Sequence, residues 1–267
     1  MNKKIGFIGA GKMAQAMIEG IVKSKLIPKE NIIASARTEK TLEIIKHKYS
    51  IVTSLQNKDV ARAADILILA VKPDLHESVI EEIKNEIKQK AIIVTIAAGI
   101  TLKDIERAFG SKIRAVRTMP NTPSLVGEGM SVICANDYLS EEEMIEVEHL
   151  FNTFGQTERL EEKLMDAVPA ISGSSPAYVY MLIEAMADGG VRQGIPRNKA
   201  YRLAAQAVLG AAKMVLETEL HPGELKDDVC TPGGATIEAV ATLEKEHFRG
   251  SVMAAMESCS NKAKNLN

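Results

Sequence analysis

Cysteine is scarce in this chain. Cys134, Cys230 and Cys259 are widely separated, odd in number and form no CxxC pair. A disulfide framework is therefore excluded, and reduced thiols in a cytoplasmic protein are expected. The five histidines, His47, His76, His149, His221 and His247, make no HxxxH spacing and lie near no cysteine pair, so no metal site is expected. An excess of one charge is missing too. The formal net charge is −2, which favours neither nucleic acid nor an anionic membrane surface as a partner. No apolar run approaches the length of a membrane span. At the start, MNKKIGFIGAGKM has lysines and then a short apolar run, but Gly6, Gly9 and Gly11 interrupt it well short of a signal-peptide core. Fixed-period repeats, low-complexity segments and flexible linkers are absent as well.

What is present is an ordinary globular composition: 267 residues, 46% hydrophobic and 25% charged, long enough for two domains. Up to about residue 161, short β-branched runs (KIGFIG, NIIASA, DILILAV, AIIVTIA, KIRAVRT, MSVICA) alternate with helical patterns. These helical patterns are MAQAMIEGIVKSK, EKTLEIIKHKY, HESVIEEIKNEIKQ, TLKDIERAF and SEEEMIEVEHLFNTF, the last opened by Ser140 with Glu143 placed for a capping box. GQTERL reads as a last strand. Apolar strands broken by amphipathic helices predict parallel βαβ units with helices on both sheet faces. From residue 162 the strand signal fades. SPAYVYMLIEAMADGGVRQG, RNKAYRLAAQAVLGAAKMVLET and GATIEAVATLEKEHFRGSVMAAMESCSNKAKN each read as one helix. The expected fold class is thus α/β: a doubly wound, Rossmann-like dinucleotide-binding domain over 1–161 and an all-α domain over 162–267. The small residues of LAAQAVLGAAKM suit close helix packing, in a monomer core or across a dimer.

The first strand runs into Gly9-Ala10-Gly11-Lys12-Met13-Ala14, the GxGxxA form of the dinucleotide fingerprint. Gly9 permits a tight turn, Gly11 lets a pyrophosphate approach the backbone, and Ala14 lets helix and strand pack closely. At the end of the second strand an NAD enzyme usually carries Asp or Glu. Here Ser35 and Arg37 stand in NIIASARTEK, a hydroxyl and a planar cation suited to a 2′-phosphate. NADPH is therefore preferred over NADH. The alternative is that Arg37 is a solvated surface arginine and Thr38 simply caps the next helix. Asn57 follows the third strand pattern, where it can reach the same ribose. The ends of later strands supply Ala70, Val71, Lys72 and Pro73, then Ala98 and Gly99, then Asn121 of MPNTP. Together they outline a cleft along one sheet edge.

In DDVCTPGGAT, residues 227–236, Pro232, Gly233 and Gly234 break one helical pattern just before another begins. The plain reading is an interhelical turn. The functional reading is a helix N-terminus whose free N–H groups and dipole suit an anion.

These segments carry a resemblance. GFIGAGKMAQA, LAVKP, AAGIT, RTMPNTP, SGSSPAYVY, ADGGVRQGIPR and DDVCTPGGATIEAV, in that order and over about residues 4 to 265, resemble pyrroline-5-carboxylate reductase. The resemblance implies reduction of the cyclic imine 1-pyrroline-5-carboxylate to proline by NADPH or NADH, the last step of proline biosynthesis. It implies a homodimer through the C-terminal helices, with rings of dimers such as a decamer in some members. It also implies that the DDVCTPGGAT loop holds the substrate carboxylate, where the glycine N–H groups of Gly233 and Gly234 and the Thr231 hydroxyl suit an anion, and that Thr236 hydrogen-bonds the ring nitrogen. Asp228 and Val229 are further substrate-binding candidates in the loop, with Asp228 open between a part in the chemistry and a charge that only favours the following helix. Thr236 as an N-cap is the other reading of that residue. Lys72 is open between a charge near the substrate carboxylate and a packing role. Ser175 replaces the usual second glycine of SGSGPAY, and Pro169 stands where a helix former is more usual. Both fall at an expected helix start, where such residues are tolerated.

Two rival functions share the two-domain plan. One is another NADP-dependent reductase or dehydrogenase, such as a hydroxy-acid dehydrogenase. Those typically use a lysine on a C-terminal-domain helix, and SSPAYVYMLIEAMADGG contains none. The other is a non-catalytic NADP-binding regulator, which the intact DDVCTPGGAT loop disfavours.

Overall fold

The computed structural model describes residues 3–264. The chain forms two compact units, with divisions between Gly173 and Ser174 and between Cys259 and Ser260.

The first unit is built on an eight-stranded sheet in the order β3-β2-β1-β4-β5-β6-β7-β8. Its strands are β1 (Ile5–Ile8), β2 (Ile32–Ser35), β3 (Val52–Ser54), β4 (Ile66–Leu69), β5 (Ile92–Thr95), β6 (Arg114–Met119), β7 (Gly129–Ala135) and β8 (Gly155–Arg159). The helices between them are α1 (Lys12–Ser24), α2 (Glu39–Tyr49), α3 (Asn57–Ala63), α4 (His76–Ile83), α5 (Leu102–Phe109) and α6 (Glu141–Phe151). The central strands β1, β4 and β5 are buried on both faces because nearly all their residues are apolar. In β4, Ile66 and Ile68 join the core that includes Phe7 on β1, Met17 and Ile21 on α1, and Val147 and Phe151 on α6. Leu67 and Leu69 join the opposite core with Val60, Ile80, Ile83 and Ile105 on α3, α4 and α5. Such two-sided burial is what near-continuous Ile, Leu and Val runs produce in a parallel sheet.

The expected all-parallel sheet holds through β6 and then breaks: β7 runs antiparallel to β6, with Met119 opposite Val132, while β8 returns parallel to β7. The connection 120–128 contains only a short 3₁₀ turn, Thr122–Val126. That is too short for the crossover that a parallel pair needs. The third strand pattern before Asn57 is β3, only three residues long, and helix α3 carries too little periodicity to be read from the sequence. The capping box of α6 is present, with Ser140 accepting from the Glu143 N–H and Glu143 accepting from the Ser140 N–H.

The second unit is helical: α7 (Ser175–Arg192), α8 (Arg197–Thr218), α9 (Pro222–Val229), α10 (Ala235–Lys245) and α11 (Phe248–Lys264, which ends in the first unit). The long helix expected from residue 234 onward is in fact two. His247, in the left-handed region at φ +58, separates α10 from α11. No glycine marks the break, so no sequence signal announced it. Ser175 opens α7, whereas Pro169 starts a π-helical turn, Pro169–Gly173. Many apolar side chains of this unit are exposed, Met181 at 69%, Leu216 at 75% and Met253 at 65% among them.

Candidate functional site

The sheet changes winding direction between β1 and β4: the chain leaves β1 for β2 and β3 on one side, then crosses to β4 and β5 on the other. Doubly wound sheets bind ligands at such a point, beyond the carboxyl ends of the strands. A cavity of about 500 Å³ lies there, lined by Gly9, Ala10 and Gly11 after β1, Arg37 after β2, Asn57 on α3, and Ala70, Val71 and Lys72 after β4.

The glycines have separate reasons. Gly9 has φ +94, and a Cβ there would sit 2.5 Å from the Ala70 carbonyl oxygen. Only glycine fits both the conformation and the space. Gly11 would place a Cβ in open space. It is the N-cap of α1 in extended conformation, with no side-chain cap and no acid in the first turn. Lys12 and Met13 thus begin a helix whose N–H groups and dipole face the cavity mouth. Ala14 is fully buried against the sheet. The lining contains two cations, Arg37 and Lys72, and no carboxylate. No carboxylate among the described residues pairs with Arg37, which is exposed. Thr38 does cap α2, accepting from the Thr41 N–H.

Other expected contributors are placed differently. Ser35 is fully buried, and its hydroxyl donates to Asn57 Oδ1 at 2.8 Å instead of facing the cavity. Asn57 Nδ2 in turn donates to Glu82 Oε2 at 2.8 Å. Ser35 and Glu82 therefore hold the Asn57 amide in one orientation, and Glu82 is a contributor no sequence motif pointed to. Pro73 and Gly99 line a neighbouring cavity of about 510 Å³ with His76 and Asp104. Ala98 packs against the core. Asn121 is buried and internally bonded at both ends: Nδ2 donates to the Ser172 carbonyl and Oδ1 accepts from the Met130 N–H. It braces the loop after β6, because a buried amide must satisfy both its ends. A further buried polar residue is Arg117, whose Nη2 donates to Asp166 Oδ1 at 2.6 Å and which also lies near Glu162. Burial holds the Cys134 thiol protonated, its pKa pushed up to about 11. The three cysteines are free thiols.

In the second unit, α9 ends at Val229 and α10 begins at Ala235. Gly233 has φ +69 with open space around its missing side chain. Gly234 is the N-cap of α10, extended, with no side-chain cap. Its N–H is bonded to the Thr231 carbonyl at 3.0 Å, so it contributes shape and not a free donor. A side chain at Gly234 would collide with the Thr231 hydroxyl. Thr236 lies in the first turn of α10, half-buried, and is not the cap. Asp228 and Val229 are exposed on the last turn of α9. Asp227 is paired with Lys226, which offsets an acid at the negative end of a helix. Among the described residues no three His, Cys, Asp or Glu side chains cluster as metal ligands, and no helix is long and apolar enough to cross a membrane.

Comparison with known proteins covers the whole chain. Residues 162–266 match the family model for pyrroline-5-carboxylate reductase dimerisation, and residues 4–99 match that for NADP oxidoreductase, coenzyme F420-dependent. Pyrroline-5-carboxylate reductase of Escherichia coli (strain K12) is 44% identical over 266 residues, covering 100% of this chain and 99% of that protein. A pyrroline-5-carboxylate reductase structure from Coxiella burnetii is 33% identical with a TM-score of 0.94, over 100% of this chain and 99% of that one. A Plasmodium falciparum pyrroline carboxylate reductase, solved with NADP bound, is 35% identical with a TM-score of 0.88, over 99% of this chain and 98% of that one.

Proposed function

The chain belongs to the pyrroline-5-carboxylate reductase family, and from that premise we propose that it reduces 1-pyrroline-5-carboxylate to L-proline with NADPH. The observation that carries the cofactor assignment is the cavity at the sheet's switch point. A glycine turn, an open helix N-terminus, two cations and no acid meet in one lining. That donor set suits a dinucleotide bearing an extra phosphate. Arg37 reads the 2′-phosphate and Asn57 the ribose beside it. Lys12 and Met13 N–H groups receive the pyrophosphate. Val71, Lys72, Pro73, Ala98 and Gly99 border the nicotinamide side.

Bound NADPH supplies a hydride; the chain's own residues bind, orient and exclude water. The substrate carboxylate sits on the turn after α9, where Gly233 keeps the backbone approachable and the Ala235 and Thr236 N–H groups open α10. Thr231 contributes its hydroxyl, and Asp228 and Val229 border the loop. The Thr236 hydroxyl is directed at the ring nitrogen. A substrate already protonated there accepts hydride at C5 and becomes the amine with no further acid. Catalysis is then mostly positioning in a dry site. The functional boundary lies at residues 161 and 162. Through its family dimerisation domain the chain self-associates, burying the exposed apolar faces of α7, α8 and α11. Dimers assemble further into rings such as a decamer, in the cytoplasm, where the three thiols stay reduced.

The test is turnover of the purified imine with NADPH. Product proline and matching NADPH consumption are expected. NADPH binding without turnover would favour a regulator, and turnover of a hydroxy acid instead would favour the dehydrogenase reading.

A further inference from the structure

His76 is the first residue of α4, and it is 3% exposed. None of the cofactor or substrate roles proposed above uses it. Its Nε2 lies 2.9 Å from Oγ1 of Thr95, the last residue of β5 and itself fully buried. The same Thr95 oxygen accepts the Ala97 N–H at 3.1 Å, and the Thr95 carbonyl accepts the Thr118 hydroxyl of β6 at 2.9 Å. His76 follows the 70–73 loop by three residues, and Ala97 begins the loop that turns at Gly99, φ +81. One short chain of hydrogen bonds therefore ties together the loops at the ends of β4 and β5. The wall shared by Pro73, His76 and Gly99 is where the two loops meet.

We propose that His76, through Thr95, is a positioning residue for hydride transfer: the pair locks the 70–73 and 97–99 loops into the relative placement that the nicotinamide ring and imine require. This rests on the reading that those loops border the nicotinamide. The bonding pattern requires a neutral ring. Thr95 has one hydrogen, and its oxygen already accepts from Ala97. The arrangement that leaves no donor unused has Thr95 donating to Nε2, with the ring proton on Nδ1. A doubly protonated ring would deprive the Thr95 hydrogen of its acceptor. A misplacement of about 1 Å in a reacting pair is worth far more in rate than in binding, so the effect belongs in kcat.

The experiment compares wild type, His76→Leu, His76→Gln, Thr95→Val and the His76→Leu/Thr95→Val double variant. His76→Leu should lower kcat about fivefold, the equivalent of one neutral hydrogen bond of about 1 kcal/mol, and Thr95→Val at least as much, since it also removes the acceptor of the Ala97 N–H. The isotope effect from NADPH deuterated at nicotinamide C4 should rise. NADPH affinity by fluorescence titration should stay within about twofold, and amide exchange at Ala97–Gly99 should quicken. His76→Gln, which can place an amide near the Nε2 position, should recover most of kcat. The double variant should be no worse than Thr95→Val alone, because that change already breaks both the His76 link and the Ala97 link. If His76→Leu does not fold, Thr95→Val, nearly identical in shape, carries the test. An active wild type, with variants that lose thermal stability but keep kcat, isotope effect and loop exchange, would reduce the pair to a core hydrogen bond. A wild type that does not turn over the imine would overturn the proposal together with the reading beneath it.

Discussion

Arg37→Ala should separate the two nicotinamide cofactors. Arg37 is exposed beside the cavity, two residues beyond β2, and no carboxylate among the described residues competes for its guanidinium. Its removal therefore breaks no ion pair and leaves no buried group unsatisfied. Surface changes of that kind alter stability by about 0.5 kcal/mol or less. On the proposed assignment, what is lost is a charge-assisted contact to the 2′-phosphate, worth about 1.5–3 kcal/mol. At about 1.4 kcal/mol per decade this weakens NADPH roughly 10- to 150-fold. NADH has no 2′-phosphate, so its KM should stay within about twofold. Arg37→Lys should fall between, since an ammonium keeps the charge but not the bidentate fork. The assay is steady-state KM for both cofactors with the imine in excess, supported by fluorescence titration of each. Equal loss of both cofactors would refute the reasoning, because an arginine acting on the fold cannot tell them apart.

Thr236→Ala should lower kcat/KM for the imine about tenfold or more, the worth of one hydrogen bond to a charged group. NADPH affinity and melting temperature should hardly move, because Gly234 and not Thr236 caps α10; a large fall in melting temperature would contradict this. Gly9→Ala should lower both stability and NADPH affinity, since its Cβ meets the Ala70 carbonyl oxygen at 2.5 Å with φ at +94; unchanged denaturation and binding would show that the turn relaxes freely. Burial depresses His76 from its ordinary value of 6.5 to about 4, partly opposed by Asp104. The unfolded chain therefore binds the extra proton first, and stability present above pH 6.5 falls toward pH 4 by up to about 1.4 kcal/mol per unit. The other four histidines are exposed, so His76→Gln should flatten urea-denaturation stability between pH 6.5 and 4.5; an unchanged slope would place its origin elsewhere.

The sheet of the first unit was legible because its central strands β1, β4 and β5 are almost wholly apolar and its glycine turn has a mechanism. Gly9, Gly11 and Ala14 signal their roles by size alone. What lay hidden was hidden for physical reasons. The reversal of β7 depends on the length of the 120–128 connection, where MPNTP reads as a loop in either direction. In the sequence Ser35 and Asn57 read only as separate polar candidates for the cofactor. Only three dimensions show Ser35 turned inward to orient Asn57, with Glu82 completing the set from a helix far along the chain. Asn121 was read by its place at a strand end, yet its burial assigns both amide ends to the backbone. Arg117 sits inside a strand run and gave no sign of burial, since its partners Glu162 and Asp166 lie across a long sequence gap. His76 is silent in the sequence, because a lone histidine at a helix start has no signature until its partner, Thr95, is known.

The helix caps expose a shared logic in the two binding regions. Helices α2, α5 and α6 begin with Thr38, Thr101 and Ser140, each accepting a first-turn N–H through its side chain. Glycine is the N-cap only of α1 and α10 among the helices whose caps are described. The two are alike in detail: Gly11 has φ −71 and ψ −177, and Gly234 has φ −80 and ψ 169. Glycine caps leave the first-turn donors without an internal acceptor, which a Ser, Thr or Asp would have supplied. Besides the 2′-phosphate assigned to Arg37, the reaction brings a pyrophosphate and a substrate carboxylate to the protein. On the proposed assignment each meets one of these two helix starts, so the ligand itself completes the cap. Gly11→Ser and Gly234→Ser bear on this differently. A serine at Gly11 enters open space, so it should stabilise the apo fold while competing with NADPH for the α1 donors. At Gly234 the Thr231 hydroxyl blocks the new side chain, only 2.3 Å from where its Cβ would lie. That substitution should distort the loop and weaken the imine, leaving NADPH binding intact.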